Sequence, residues 1–105
     1  QLWTNVPYAK RYAEIVAATL SARDPANGAY YAENLDRFSA VLDELDAAIV
    51  EAARTIPEEN RKLLTYHDSW AYFARHVGIT VIGAAQPSDF SEPSPQEVAG
   101  LIEQI

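Results

Sequence analysis

Cysteine is absent from these 105 residues, so the chain has no disulfide and no thiolate metal site, and cysteine usage says nothing of its redox compartment. Basic residues are scarce as well. Eight Lys+Arg stand against 15 Asp+Glu for a formal net charge of -7, and no Lys/Arg cluster forms. Nucleic acid requires a basic face, so that partner class is excluded, while the acidic balance mildly favours cationic partners. No apolar run approaches the roughly 20 residues of a membrane helix, and no signal peptide, internal repeat or low-complexity tract is present. What remains is 49% hydrophobic, enough for one domain at most with a modest core.

Asn5 and Pro7 read as an N-cap and an early-turn proline, with Trp3 exposed ahead of them. Tyr8, Tyr12, Ile15, Val16, Thr19 and Leu20 then recur at helical spacing until Arg23, Asp24 and Pro25 stop the pattern. Asp24 and Pro25 restart the chain as N-cap and first residue of a second helix, expected to run to about Ile56 before Pro57. Its apolar stripe, Tyr31, Leu35, Phe38, Leu42, Leu45, Ile49, Ala52 and Ile56, alternates steps of four and three. Asp36, Arg37, Asp43, Glu44, Asp46, Glu51 and Arg54 occupy the opposite, solvated face. Such a helix is about 45 Å long by its rise, too long for a compact body of this size. It either pairs with a partner helix or braces a larger body beyond the given sequence.

After a polar turn at Glu58, Glu59 and Asn60, the run from Arg61 to Gly83 reads as strand, helix, strand. Leu63 to Tyr66 is an apolar, aromatic stretch of strand length, and Ile79 to Ile82 is β-branched throughout. Between them Asp68 or Ser69 is placed to cap a helix with Trp70, Phe73 and Val77 on one face, closed by Gly78. In a βαβ unit the strands run parallel, so His67 sits where a strand's carboxyl end opens into a loop, the usual ligand position of open α/β sheets. Gly83 to Pro95 reads as a surface loop. Ser94, Pro95, Gln96 and Glu97 then form a capping box, and Val98, Leu101, Ile102 and Ile105 give the apolar face of a last helix without a stop signal.

His67, Asp68 and Ser69 contain the letters of a hydrolase triad, but contiguous side chains diverge and do not converge on one reacting atom. A neutral imidazole at a strand end suits Zn²⁺, with Asp68 as an outer acceptor. The bland alternative is a loop histidine bonded to backbone. His76 lies nine residues on, about 13 Å away by helical rise, and suits the helix C-terminus instead. Trp70, Tyr72 and Phe73 are either an aromatic platform or, as is commoner at helical spacing, core.

The segments LTYHDSWAYFARHVGITVIGA and PSDFSEPSPQEVAGLIEQI, with the opening LWTN and the helix VPYAKRYAEIVAATLSARDP, resemble the zinc and manganese solute-binding proteins of ABC importers. The resemblance covers nearly the whole chain and implies two α/β lobes joined by a long rigid helix, with the metal between them. Of the family's four ligand positions, His67 falls on one. A second falls on Gln1, a poor zinc ligand, and the other two lie outside the sequence.

The resemblance implies a helix-rich α/β fold, a long bracing helix plus a βαβ unit, as the central fragment of an extracytoplasmic zinc-binding receptor that hands its metal to an ABC permease. On this reading residues 1–23 end the first lobe, 24–57 form the long interlobe helix and 58–105 begin the second lobe. His67 is its metal residue, the metal is zinc with manganese as the alternative, and the protein is not an enzyme. The competing reading is a helical self-association module without metal function. Two parallel strands alone have edges that invite pairing, so self-association of the isolated chain is expected.

Overall fold

The computed structural model describes residues 1–86 and 92–104. Within it the chain forms two compact units, Leu2–Glu51 and Ala52–Ile105, with Gln1 counted in the second.

The first unit is helical. A 3-10 turn, Leu2–Thr4, leads into α1, Val6–Arg23. The Asn5 side chain accepts from the Tyr8 backbone N–H and Pro7 lies in the first turn, so the sequence-predicted start holds. A second 3-10 turn, Pro25–Asn27, enters α2, Gly28–Arg54. At 27 residues this helix is about 40 Å long by its rise.

Asp24 does not cap the backbone as expected. Its carboxylate instead accepts from the Asn27 amide at 2.8 Å and the Tyr31 hydroxyl at 2.7 Å, which ties the turn to the first turns of α2. Lys10 of α1 pairs with Asp43 of α2 at 2.8 Å. Along the apolar stripe Leu42 is buried and Tyr31, Leu35 and Ile49 are half-buried, while Phe38 and Leu45 are about half exposed. Near the C-terminal end the buried residue is Ala53, not Ala52. An ideal helix drifts about 20° per heptad against a strict seven-residue repeat, so a seam read from spacing rotates out of place along a helix this long.

The second unit begins where α2 ends. Thr55 and Ile56 tighten the last turn through bonds to Ala52 and Ala53 carbonyls. The Arg61 guanidinium donates to the carbonyls of Ile56 at 2.9 Å and Arg54 at 3.2 Å, placing a cation on the negative helix end. A short 3-10 turn, Glu58–Asn60, leads to β1, Lys62–His67, then α3, Ala71–Val77, and β2, Thr80–Gln86. The strands are parallel neighbours, as the strand-helix-strand reading requires.

Two local expectations are corrected. The cap of α3 is Trp70, with no side-chain hydrogen bond, because Ser69 is used in a tight turn through its N–H to the His67 carbonyl. The segment Gly83–Gln86, expected as loop, is the second half of β2. The rest of that loop, 87–91, lies outside the described residues, as does Ile105. Ladder pairing steps from Leu63↔Val81 to Leu64↔Gly83, which leaves Ile82 without a ladder partner, and continues through Thr65↔Ala84 to His67↔Gln86.

Ala74, 1% exposed, and Val77 form the best-buried part of α3. Gly78 ends it at φ 78°, a left-handed position that suits glycine, and its N–H returns to the Ala74 carbonyl. The last helix, α4, Pro95–Ile102, carries the full capping box, with Ser94 and Glu97 bonded in both directions. Leu101 approaches Gly83 so closely that a Cβ there would lie 2.7 Å from its Cδ2. This bears on the glycine at this point of the strand: the Leu101 side chain takes the space that a side chain at 83 would enter.

Candidate metal site

His67 is the last residue of β1, exposed, at the carboxyl end of the parallel pair. Its ring meets the Tyr66 ring edge-on, with centroids 4.8 Å apart and planes at 80°. The chain turns at once after it, closed by the Ser69 N–H to the His67 carbonyl at 2.9 Å. The Gln1 terminal amino group, not its side chain, donates to the Ser69 carbonyl, also at 2.9 Å. Positions 1 and 67, far apart in sequence, therefore flank one short turn.

Asp68 is exposed and leaves the helix cap to Trp70, so the simple capping role expected of it is not the one it has. His76 is half-buried in the last turn of α3, at the helix C-terminus where the sequence placed it. Trp70 and Phe73 stack edge-on at 5.6 Å, with Phe73 half-buried and both Trp70 and Tyr72 substantially exposed. Among the described residues no three His, Asp or Glu side chains gather as a metal would need. What the chain offers chemically is one accessible imidazole, a nitrogen donor suited to a borderline metal ion.

Sequence reasoning missed Gln86. It stands beside His67 in the ladder and is 8% exposed, yet the expected loop was drawn across it. The available signal was weak: an apolar run that continued through Gly83, Ala84 and Ala85 without a turn residue other than glycine.

The family model for the periplasmic zinc-uptake complex component A matches residues 1–105. The chain belongs to this family. Among the curated relatives of this zinc-uptake family member is the manganese ABC transporter substrate-binding lipoprotein PsaA of Streptococcus anginosus, 28% identical over 103 residues, 98% of this chain and 33% of that protein. Among solved structures, the periplasmic zinc binding protein TroA from Treponema pallidum is 29% identical at a TM-score of 0.85, over 97% of this chain and 37% of that one. A ZnuA crystal structure is 34% identical at 0.82, over 97% of this chain and 38% of its own.

The chain thus spans about a third of the length of the curated relatives it matches. Its helix-rich α/β architecture corresponds to part of the two-lobed fold of those structures. The relatives are metal substrate-binding proteins of transporters, periplasmic or lipoprotein by name, and not enzymes. No helix among the described residues is long and apolar enough to cross a membrane.

Proposed function

We propose that this chain is the central part of an extracytoplasmic receptor that binds zinc, in preference to manganese, and delivers it to an ABC importer. In it, residues 1–23 end the first lobe, 24–57 form the long interlobe helix and 58–105 open the second lobe. His67 is the metal ligand that this stretch contributes.

The observation that carries the reading is His67 itself: an exposed imidazole at the carboxyl end of a parallel strand, in a chain matched throughout by a zinc-uptake family. The relatives' names divide between manganese and zinc. Donor chemistry favours zinc here, because an imidazole binds Zn²⁺ more strongly than Mn²⁺, which prefers carboxylate and water.

Titration calorimetry with zinc and with manganese tests this on the complete receptor, its His67→Ala variant and the present chain. The complete receptor is expected to bind zinc more tightly, and His67→Ala to lose about two orders of magnitude or more, as removal of a direct ligand should. The present chain alone is expected to bind weakly, since its described residues gather no ligand set. Wild-type affinity in His67→Ala refutes the reading.

A second reading, self-association through the helical unit, draws support from the exposed Phe38, Val41 and Leu45 on α2. Leu45→Lys distinguishes it in sedimentation: a helical dimer would dissociate, whereas an already monomeric chain would be unchanged.

A further inference from the structure

Gln86 and Thr4 are the polar residues buried among those described, and Gln86 has a specific neighbour. Pairing runs Leu64↔Gly83, Thr65↔Ala84 and His67↔Gln86 with no further register shift, so His67 and Gln86 lie side by side at the carboxyl ends of the two strands. Register partners on adjacent parallel strands project to the same face, and their backbones lie about 4.8 Å apart. A carboxamide is long enough to span that distance to an imidazole. No buried side-chain nitrogen or oxygen among the described residues lacks a hydrogen-bond partner.

The geometry points to Gln86 as a positioning residue for His67: its carboxamide oxygen accepts the N–H of one ring nitrogen, which fixes the tautomer and turns the lone pair of the other nitrogen outward. Three features support this. A neutral imidazole has one N–H and one lone pair, so whichever nitrogen takes a metal, the other must donate. An outward ring on a strand end needs a fixed acceptor to hold its orientation. A buried glutamine fits that role better than the exposed Asp68, because burial restricts the rotamers open to its side chain. The link to metal rests on the function proposed above, but the tautomer does not.

The test therefore separates the two. The chain has only two histidines, so ¹⁵N-histidine labelling gives two ring systems, which His67→Ala assigns. Wild type at a pH where the ring is neutral is expected to show one dominant His67 tautomer, and a mixed population overturns the proposal without any variant. Gln86→Leu, which keeps bulk but accepts nothing, is expected to yield both tautomers, and wild-type ring shifts in it overturn the proposal. If Gln86→Leu does not fold, Gln86→Glu decides instead. It retains an acceptor and is expected to retain the single tautomer, whereas a mixed population there overturns the role. In the complete receptor, Gln86→Leu is expected to weaken zinc binding about 10- to 100-fold. If His67→Ala leaves zinc affinity intact, the metal function fails while the tautomer result still decides the role of Gln86.

Discussion

The two units bury their apolar residues to different degrees. In Ala52–Ile105, strand pairing and α3 leave Ala74 and Val77 almost wholly enclosed, and Leu101 of α4 comes so close to Gly83 of β2 that a side chain there would have to displace it. In Leu2–Glu51, α1 and α2 leave a largely apolar groove of about 490 Å³ lined by Val16, Leu20, Tyr30, Leu35 and Phe38 among others. Tyr12, Ile15, Val41 and Leu45 are exposed as well. Amphipathic helices gain most of their stability from covering the apolar face, so the helical unit draws less from its own packing than its sequence would allow. Apolar periodicity reports which face is meant to be covered; it does not report how much of the cover lies in the same stretch of chain.

That contrast can be broken at its strongest point first. Val77→Asp places a charge in the enclosed part of the α/β unit and is expected to cost about 4 kcal/mol or to prevent folding of that unit, read from urea unfolding. Phe38→Ala, 51% exposed, is expected to cost about 1 kcal/mol in this chain. In the complete receptor it should cost about 3 kcal/mol if other segments cover the groove, and equal losses in both proteins would mean that the face stays open. Arg61→Ala removes two donors from the end of α2 and is expected to cost about 1 kcal/mol, with hydrogen exchange accelerated at the α2 C-terminus.

The smallest effect concerns the turn between α1 and α2. Hydrogen bonds from Asn27 and then Tyr31 hold the Asp24 carboxyl below its ordinary 3.8. A lowered carboxylate value stabilises above the unfolded value and loses that contribution as pH falls through the folded one. The Tyr31 hydroxyl is raised above its ordinary 10.0, first through its hydrogen bond to Asp24, so its contribution is present at neutral pH and is lost as pH rises through the raised value. Urea midpoints followed against pH in wild type and Asp24→Asn should converge at the acid end. Parallel curves would show that the ionisation of Asp24 contributes nothing to stability.

Features encoded within one turn of chain were legible. Asn5 with Pro7, Ser94 with Glu97, and Gly78 each place a specific group on a specific orphan backbone partner a few residues away. His67 was legible for a related reason, since the end of an apolar run locates the end of a strand. Asp24 was misread because two side chains, Asn27 and Tyr31, compete successfully for the carboxylate that a cap would use. The end of β2 was hidden more deeply. Gly83, Ala84 and Ala85 carry little strand signal of their own, and at Gly83 the space for a side chain is taken by Leu101, which approaches from a helix distant in sequence. Gln86 was missed with them, because its importance exists only in the pairing with β1.

The unpaired Ile82 sets which side chain accompanies the histidine. Strand faces alternate with every residue, so a ladder continued evenly from Leu63↔Val81 would have brought Ala85, not Gln86, alongside His67. The bulge acts as a one-residue offset, shifting all later pairs by one place. Removing Ile82 itself would leave the later pairs matched, whereas gaining or losing a residue within 83–86 would reassign the histidine's neighbour. Over evolutionary time, length changes should therefore be tolerated at the bulge and resisted in the four residues that follow it.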